Sequence, residues 1–176
     1  MIALTDGIPS LTQAGLLERS SRAHLHVPQE EAMFIAAILK HKGNEVVTVQ
    51  LNESVAALAR LLSARRIGAV VVRNGEGPLL GVASERDIIH ALAAHGAAAL
   101  EMTVEQIMTR AIETANPSTT ISEAMEMMTV GRFRHLPVLE HGALVGIVSI
   151  GDVVKARIME QEHEVDSLKA YVAGTV

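Results

Sequence analysis

Two seven-residue stretches, GVASERD (Gly81 to Asp87) and GIVSIGD (Gly146 to Asp152), share the pattern G-x-x-S-x-x-D at a separation of 65 residues. Self-similarity at a fixed step constrains a fold more than any single motif, because each unit then buries its apolar face against its copy. Upstream the step is 66: Thr48 maps to Thr114, SVAALARLL (Ser54 to Leu62) to TISEAMEMM (Thr120 to Met128), Arg66 to Arg132, and AVVV (Ala69 to Val72) to HLPV (His135 to Val138). The one-residue change falls between RNGEGPLLG and LEHGALVG. Turns absorb such length changes, so both steps describe one duplication.

Each unit reads as β-α-β-β-α. A short strand comes first, Val46 to Val49 or Ile112 to Thr114. Apolar residues at helical spacing follow: Val55, Leu58, Ala59 and Leu62, then Ile121, Ala124, Met125 and Met128. Asn52 or Ser54 is expected to cap the first of these helices, and Ser118 or Thr119 the second. A hairpin over Val70 to Ala83, or Leu136 to Ser149, leads into a second helix at the Ser-x-x-Asp. A lone unit leaves one sheet face bare, so the two should pack together. The fold class expected is α+β, a pseudo-twofold pair with a long C-terminal helix from near Asp152 to about Val172. That helix carries an incomplete apolar stripe (Val154, Ile158, Val165, Leu168, Val172), which suits packing on its own repeat or self-association. The divisions expected are an extension over 1–32, poorly ordered or foreign to the native chain, repeats over 33–101 and 102–158, and a helical extension over 159–176.

Composition narrows the function. The 176 residues carry a net charge of −5, which argues against a nucleic-acid binder needing a basic surface. Phe34, Phe133 and Tyr171 are the only aromatics, so any base is expected to lie between aliphatic side chains. With no cysteine, thiol catalysis and thiolate metal sites are excluded. No apolar run approaches the ~18 residues of a membrane span, and the N-terminal residues lack a signal-peptide pattern; a cytoplasmic location is the expectation. His24 and His26 lack a third ligand at suitable spacing, and no metal or catalytic constellation is expected anywhere.

The repeated motif has a chemistry of its own. One Ser-x-x-Asp is a helix cap, since Ser satisfies a first-turn N–H and Asp suits the positive end of the helix dipole. Free N–H groups at a helix start also attract anions, and a carboxylate accepts hydrogen bonds from the vicinal hydroxyls of a ribose. Two copies in register favour binding: Ser84 with Asp87, and Ser149 with Asp152. Basic residues precede each hairpin, Arg65 and Arg66 in the first repeat, Arg132, Arg134 and His135 in the second. Gly68 and Ala69 stand where the second repeat has Arg134 and His135, so two sites of this kind would be unequal. Thr48 and Thr114 recur at matching strand positions as further candidate ligand contacts.

These residues, with RHLPVLEHGALVGIVSIGDVV in the second unit, resemble a tandem pair of CBS domains (a Bateman module) of the small stand-alone bacterial type. The resemblance spans about Met33 to Ile158, and the first repeat departs from it in having Val71 where the second has Pro137. It implies a regulatory, non-catalytic module that holds an adenosine compound in clefts between the repeats. AMP leads the candidates, with ADP, ATP, NAD(H) and S-adenosylmethionine behind it. By that resemblance Asp87 and Asp152 would hold ribose hydroxyls, and Ser84 and Ser149 phosphate or ribose. Arg134 and His135 would reach phosphate, Thr48 and Thr114 would line the sites, and Val70 and Leu136 would lie near the base. A disc-like homodimer and an unidentified regulated protein are the partners implied. The competing reading is a dimerisation or interaction module with weak or empty nucleotide sites.

Overall fold

The computed structural model describes residues 32–174. The expectations for residues 1–31, including His24 and His26, lie outside them. Among the described residues the chain runs α1 (Ile35–Lys42), β1 (Thr48–Val49), α2 (Val55–Arg65), β2 (Ala69–Arg73), β3 (Leu79–Ser84) and α3 (Glu85–His95). A 3-10 turn over Gly96–Glu101 then leads to α4 (Val104–Ile107), α5 (Ile121–Gly131), β4 (His135–Glu140), β5 (Ala143–Ser149) and α6 (Ile150–Val172).

The repeat is visible in the sheets. In the first unit β1 pairs in parallel with β2, which pairs antiparallel with β3. In the second β4 and β5 form the same hairpin, but the leading strand shrinks to one parallel bridge, Ala115 to Val138. That bridge is the counterpart of Val49 opposite Val72. The strand expected over Ile112 to Thr114 is therefore absent, and Pro137 supplies a reason. In the first repeat Val71 N–H donates to the Val47 carbonyl at 3.1 Å. Pro137 stands at the position of Val71 and has no N–H to give.

Capping differs from expectation in the same repeat. Ser54 caps α2, accepting from Ala57 N–H at 3.2 Å. The cap of α5 is Thr120, in a reciprocal box with Glu123, and not Ser118 or Thr119. Those two residues serve the preceding turn: Ser118 donates to Asn116 Oδ1, and Thr119 Oγ1 accepts from Asn116 N–H.

The two cores are built by exchange. Ile35, Ile38 and Leu39 of α1 are buried with Ile121, Leu136, Val148 and Val153 of the second repeat. Val104 and Met108 are buried with Val55, Leu58, Val70 and Ile88 of the first. Matching hydrogen bonds fix the exchange. Ile121 N–H donates to Met33 O and Ile35 N–H to Thr119 O, both at 2.9 Å. Their counterparts are Val55 N–H to Met102 O at 2.9 Å and Val104 N–H to Glu53 O at 2.8 Å. An eight-residue helix such as α1 is too short to persist alone. Burial of each large aliphatic side chain is worth about 1.5–3 kcal/mol, and it is the other repeat that supplies this for α1. Order along the chain and membership of a core thus part company at both repeat boundaries.

The long C-terminal helix begins at Ile150, two residues before the expected start, and reaches Val172. Val153 and Ala156 bury its first turns in the second core. Glu160, only 7% exposed, accepts Met33 N–H at 2.7 Å and pairs with Arg157 at 2.6 Å.

Candidate functional site

Both G-x-x-S-x-x-D stretches turn a strand into a helix in the same way. Ser84 N–H and Oγ–H donate to Asp87 Oδ2, at 2.7 and 2.5 Å. Ser149 N–H and Oγ–H donate to Asp152 Oδ2, both at 2.7 Å, and Asp152 N–H returns a bond to Ser149 Oγ at 3.2 Å. The first helical N–H of each helix is also taken. Glu85 N–H donates to Gly68 O at 3.0 Å, and Ile150 N–H to Arg134 O at 2.8 Å. The expectation of free N–H groups waiting for a phosphate is thereby corrected, because the chain itself already occupies most of them.

The glycine of each motif has a packing role. A Cβ on Gly81 would lie 2.7 Å from Thr109 O and 2.9 Å from Met108 Sδ. One on Gly146 would lie 2.5 Å from Leu39 Cδ2. In both repeats the exchanged segment crosses the hairpin at the glycine.

Beside the first motif, with Thr109 in its wall, lies a cavity of about 330 Å³. Its walls come from both repeats: Ser84, Glu85, Arg86 and Asp87 at the start of α3, Thr109 and Ala111 to Glu113, and Gly131 to His135 ahead of and into β4. Asp87 Oδ2 is saturated by Ser84, whereas the bond to Oδ1 is a long one from Thr109 Oγ1, at 3.5 Å. That leaves an acceptor oxygen at the cavity wall. Arg132 holds a left-handed backbone with φ of 55°, as its counterpart Arg66 does with φ of 54°. This turn swings the chain from α5 into β4, and the Arg132 carbonyl accepts from Arg86 at 2.8 Å. Arg86, Arg132 and Arg134 line it together with Glu85, Asp87 and Glu113, so the wall carries charge of both signs and is close to neutral overall. Val82, Ala111, Ile112 and Phe133 supply its apolar part. Phe133 thus modifies the expectation of purely aliphatic surroundings.

Asp152 occupies a different setting. Lys42, at the end of α1, donates to Asp152 Oδ2 at 2.6 Å and to Ile147 O at 3.1 Å. Burial works to raise the Asp152 carboxyl, but the bonds from Lys42 and Ser149 and the Lys42 charge outweigh it and hold the group below its usual range. His135 lies between the two motifs. It lines the cavity, pairs with Ser149 across the hairpin, and packs on Gly68, whose added Cβ would be 3.0 Å from the ring. Burial lowers the His135 pKa, and the charge of Lys42 adds to this, against opposing pulls from Glu85 and Asp152.

Of the residues singled out in the sequence, Ser84, Asp87, Arg134 and His135 come together in the cavity. Ser149 and Asp152 form the second, Lys42-bound cluster. Thr48 and Thr114 are exposed at matching positions and neither lines the cavity, although Glu113 does. Val70 and Leu136 are buried in the two cores, 1% and 0% exposed, and neither lines the cavity. Lys42 and Thr109 were missed. They lie outside the repeated motifs, on the exchanged segments, and only the exchange brings them to Asp152 and Asp87.

Comparison with known proteins agrees with this architecture. The CBS-domain family model matches residues 40–94 and 104–159. The CBS domain-containing protein CBSX3, mitochondrial, of Arabidopsis thaliana is 32% identical over 165 residues, spanning 89% of this chain and 80% of its own length. The crystal structure of the CBS-domain containing protein ATU1752 from Agrobacterium tumefaciens aligns with a TM-score of 0.70 at 47% identity, covering 73% of this chain and 96% of that one. The CBS domain pair of protein MJ0100, solved with 5-methylthioadenosine and S-adenosyl-L-methionine, aligns with a TM-score of 0.63 at 25% identity, covering 74% of this chain and 98% of its own. With two matched domains, a reciprocal exchange of helices and neighbours of the same tandem build, the chain belongs to the CBS-domain family and carries a tandem CBS pair.

Proposed function

We propose that this CBS pair is a regulatory module that binds an adenosine compound in the cavity between its repeats and passes the bound state to a partner protein, without catalysing a reaction. The observation that carries the reading is the meeting, in one cavity, of Asp87 from one repeat and Arg132, Arg134 and His135 from the other. Asp87 Oδ1 accepts from a ribose hydroxyl, Oδ2 being held by Ser84. Arg134 and His135, with Arg132, meet the phosphate. The base lies against Val82, Ile112 and Phe133, with Thr114 close by in sequence. The balance of three arginines against three carboxylates favours a ligand of low charge, AMP ahead of ATP. Ser149, Asp152 and Thr48 form the second, unequal cleft. The adenosine ligands bound by the MJ0100 pair support the ligand class.

No helix among the described residues is long and apolar enough to cross a membrane, in keeping with a cytoplasmic module. Exposed Val154, Ile158, Leu168 and Val172 on α6 suit a homodimer. Dimerisation as the sole role, with empty clefts, is the second reading, favoured by that same apolar stripe.

Thermal denaturation with AMP, ATP, NADH and S-adenosylmethionine separates the two. A ligand at about 100 times its Kd adds about 2.7 kcal/mol, and Asp87→Asn should abolish the AMP shift. No shift with any of the four leaves only the dimerisation reading.

A further inference from the structure

We infer that the outer part of α6 is one helix of a parallel, in-register two-stranded coiled coil, and that its partner is a second copy of this chain. This deepens the homodimer reading above and rests on it. Val154, Ile158, Gln161, Val165, Leu168 and Val172 follow one another at steps of four, three, four, three and four. Alternating steps of this kind make a seam of period 3.5, the repeat that winds two helices round each other. The seam is open to solvent: Val154 is 42% exposed, and Val172 at the far end 82%. Val154 stands about 100° round the helix from Val153, which is buried in the second core, so the body of the repeat does not cover the seam. The second half of the seam lies beyond residue 159, where the family match ends, so it is a feature of this chain and not of the CBS pair as such.

The make-up of the seam selects a parallel pair. The β-branched Ile158, Val165 and Val172 fill one of its two alternating positions and Leu168 stands at the other, an arrangement that favours two parallel helices. The flanking charges complement a second copy. In a parallel pair the residue ahead of each β-branched position meets the partner's residue five places on. Arg157 then meets the partner's Glu162, and Glu164 the partner's Lys169. Arg157 keeps its bond to Glu160 in doing so, since a guanidinium carries five N–H donors. An antiparallel pair centred on Gln161 instead sets Glu162 against Glu162 and Lys155 against Lys169, like charges in both cases. Gln161 fixes the register. In line, the two Gln161 amides hydrogen-bond to each other within the seam. One heptad out of line, each faces Val154 or Leu168 and goes unpaired.

The chain has no cysteine, so single cysteines report the geometry directly. Val165→Cys and Val172→Cys, in the full chain under mild oxidation, should each give a disulfide-linked dimer. His163→Cys, on the far side of α6 from the seam, should not. Analytical ultracentrifugation of the unsubstituted protein should show a dimer that Leu168→Asp weakens at least about a hundredfold, because two leucines leave a buried seam. Glu162→Lys or Lys169→Glu, each altering two symmetry-related pairs, should weaken it about tenfold. Leu168, Glu162 and Lys169 belong to neither core, so these variants should fold, which circular dichroism checks. Should one of them not fold, the cysteine variants still decide. A dimer indifferent to Leu168→Asp, or one that forms no disulfide through Val165→Cys and Val172→Cys, would overturn the inference and leave the homodimer reading in place. A monomer up to millimolar concentration would overturn both.

Discussion

Gly146 lies directly beneath Leu39, so close that a Cβ on the glycine would come 2.5 Å from Leu39 Cδ2. Leu39 belongs to the helix that opens the first repeat, and Gly146 to the hairpin of the second. Gly81 stands in the same relation to Met108 and Thr109. The glycine of G-x-x-S-x-x-D is therefore a seat for the exchanged segment.

Replacing the two glycines by alanine should not cost the same. At Gly81 the obstacle is a backbone oxygen, which no side-chain rotation can move. At Gly146 it is the end of a leucine side chain. Gly81→Ala is expected to lose about 2–3 kcal/mol and Gly146→Ala about 1 kcal/mol, within the range for overpacked sites. Urea denaturation of both variants checks the order, and equal losses would contradict it.

Arg132 holds a left-handed backbone, a conformation that suits glycine and strains other residues. Arg132→Gly should therefore keep or raise the stability of the ligand-free protein, by up to about 0.5–1 kcal/mol. The same change should weaken AMP binding at the Asp87 cavity several-fold. Opposite signs in melting temperature and affinity are the expected signature, since the change relieves the backbone while it removes a guanidinium from the cavity wall.

His135 predicts a pH dependence. Its folded pKa lies below the ordinary 6.5, mainly through burial. The unfolded chain thus takes up the proton first as pH falls, and this contribution to stability is lost between 6.5 and the lower folded value. A phosphate nearby reverses the preference by favouring the charged ring. AMP affinity is accordingly expected to rise as pH falls from about 7.5 toward 6, with proton uptake on binding. His135→Gln should flatten that slope; calorimetry in buffers of different ionisation enthalpy measures the proton count.

Glu160 is buried against the start of α1, where it accepts Met33 N–H. Glu160→Ala leaves that donor without its partner and is expected to cost about 2 kcal/mol. Glu160→Gln keeps an acceptor and should cost less. Guanidinium denaturation distinguishes them.

Thr120→Ala should cost about 1 kcal/mol, the usual value of an N-cap, because Thr120 caps α5 by accepting from Glu123 N–H and its hydroxyl donates to the Glu123 carboxylate. Ser118→Ala, which touches only the preceding turn, should cost distinctly less in the same thermal melt.

The duplication, the α+β alternation, the start of α3 and α6 and the Ser–Asp pairs were all legible in the chain. Each is a local matter, of apolar spacing, turn residues and a cap three residues from its partner. Thr120 takes the cap over Ser118 and Thr119 because it alone among the three hydroxyl residues has a glutamate three positions on to complete a capping box, and the bridge from Phe34 to Thr120 fixes it there. Val70 and Leu136 lie in strands buried on both faces, so their place in the two cores was not to be read from alternation along the strand. Tertiary structure alone decided that α1 serves the second repeat and α4 the first. It also set Lys42 on Asp152, 110 residues away, and Thr109 beside Asp87. No periodicity along the chain records such pairs. They follow from the burial of Ile35, Leu39, Val104 and Met108 in a core that neither repeat completes with its own sequence.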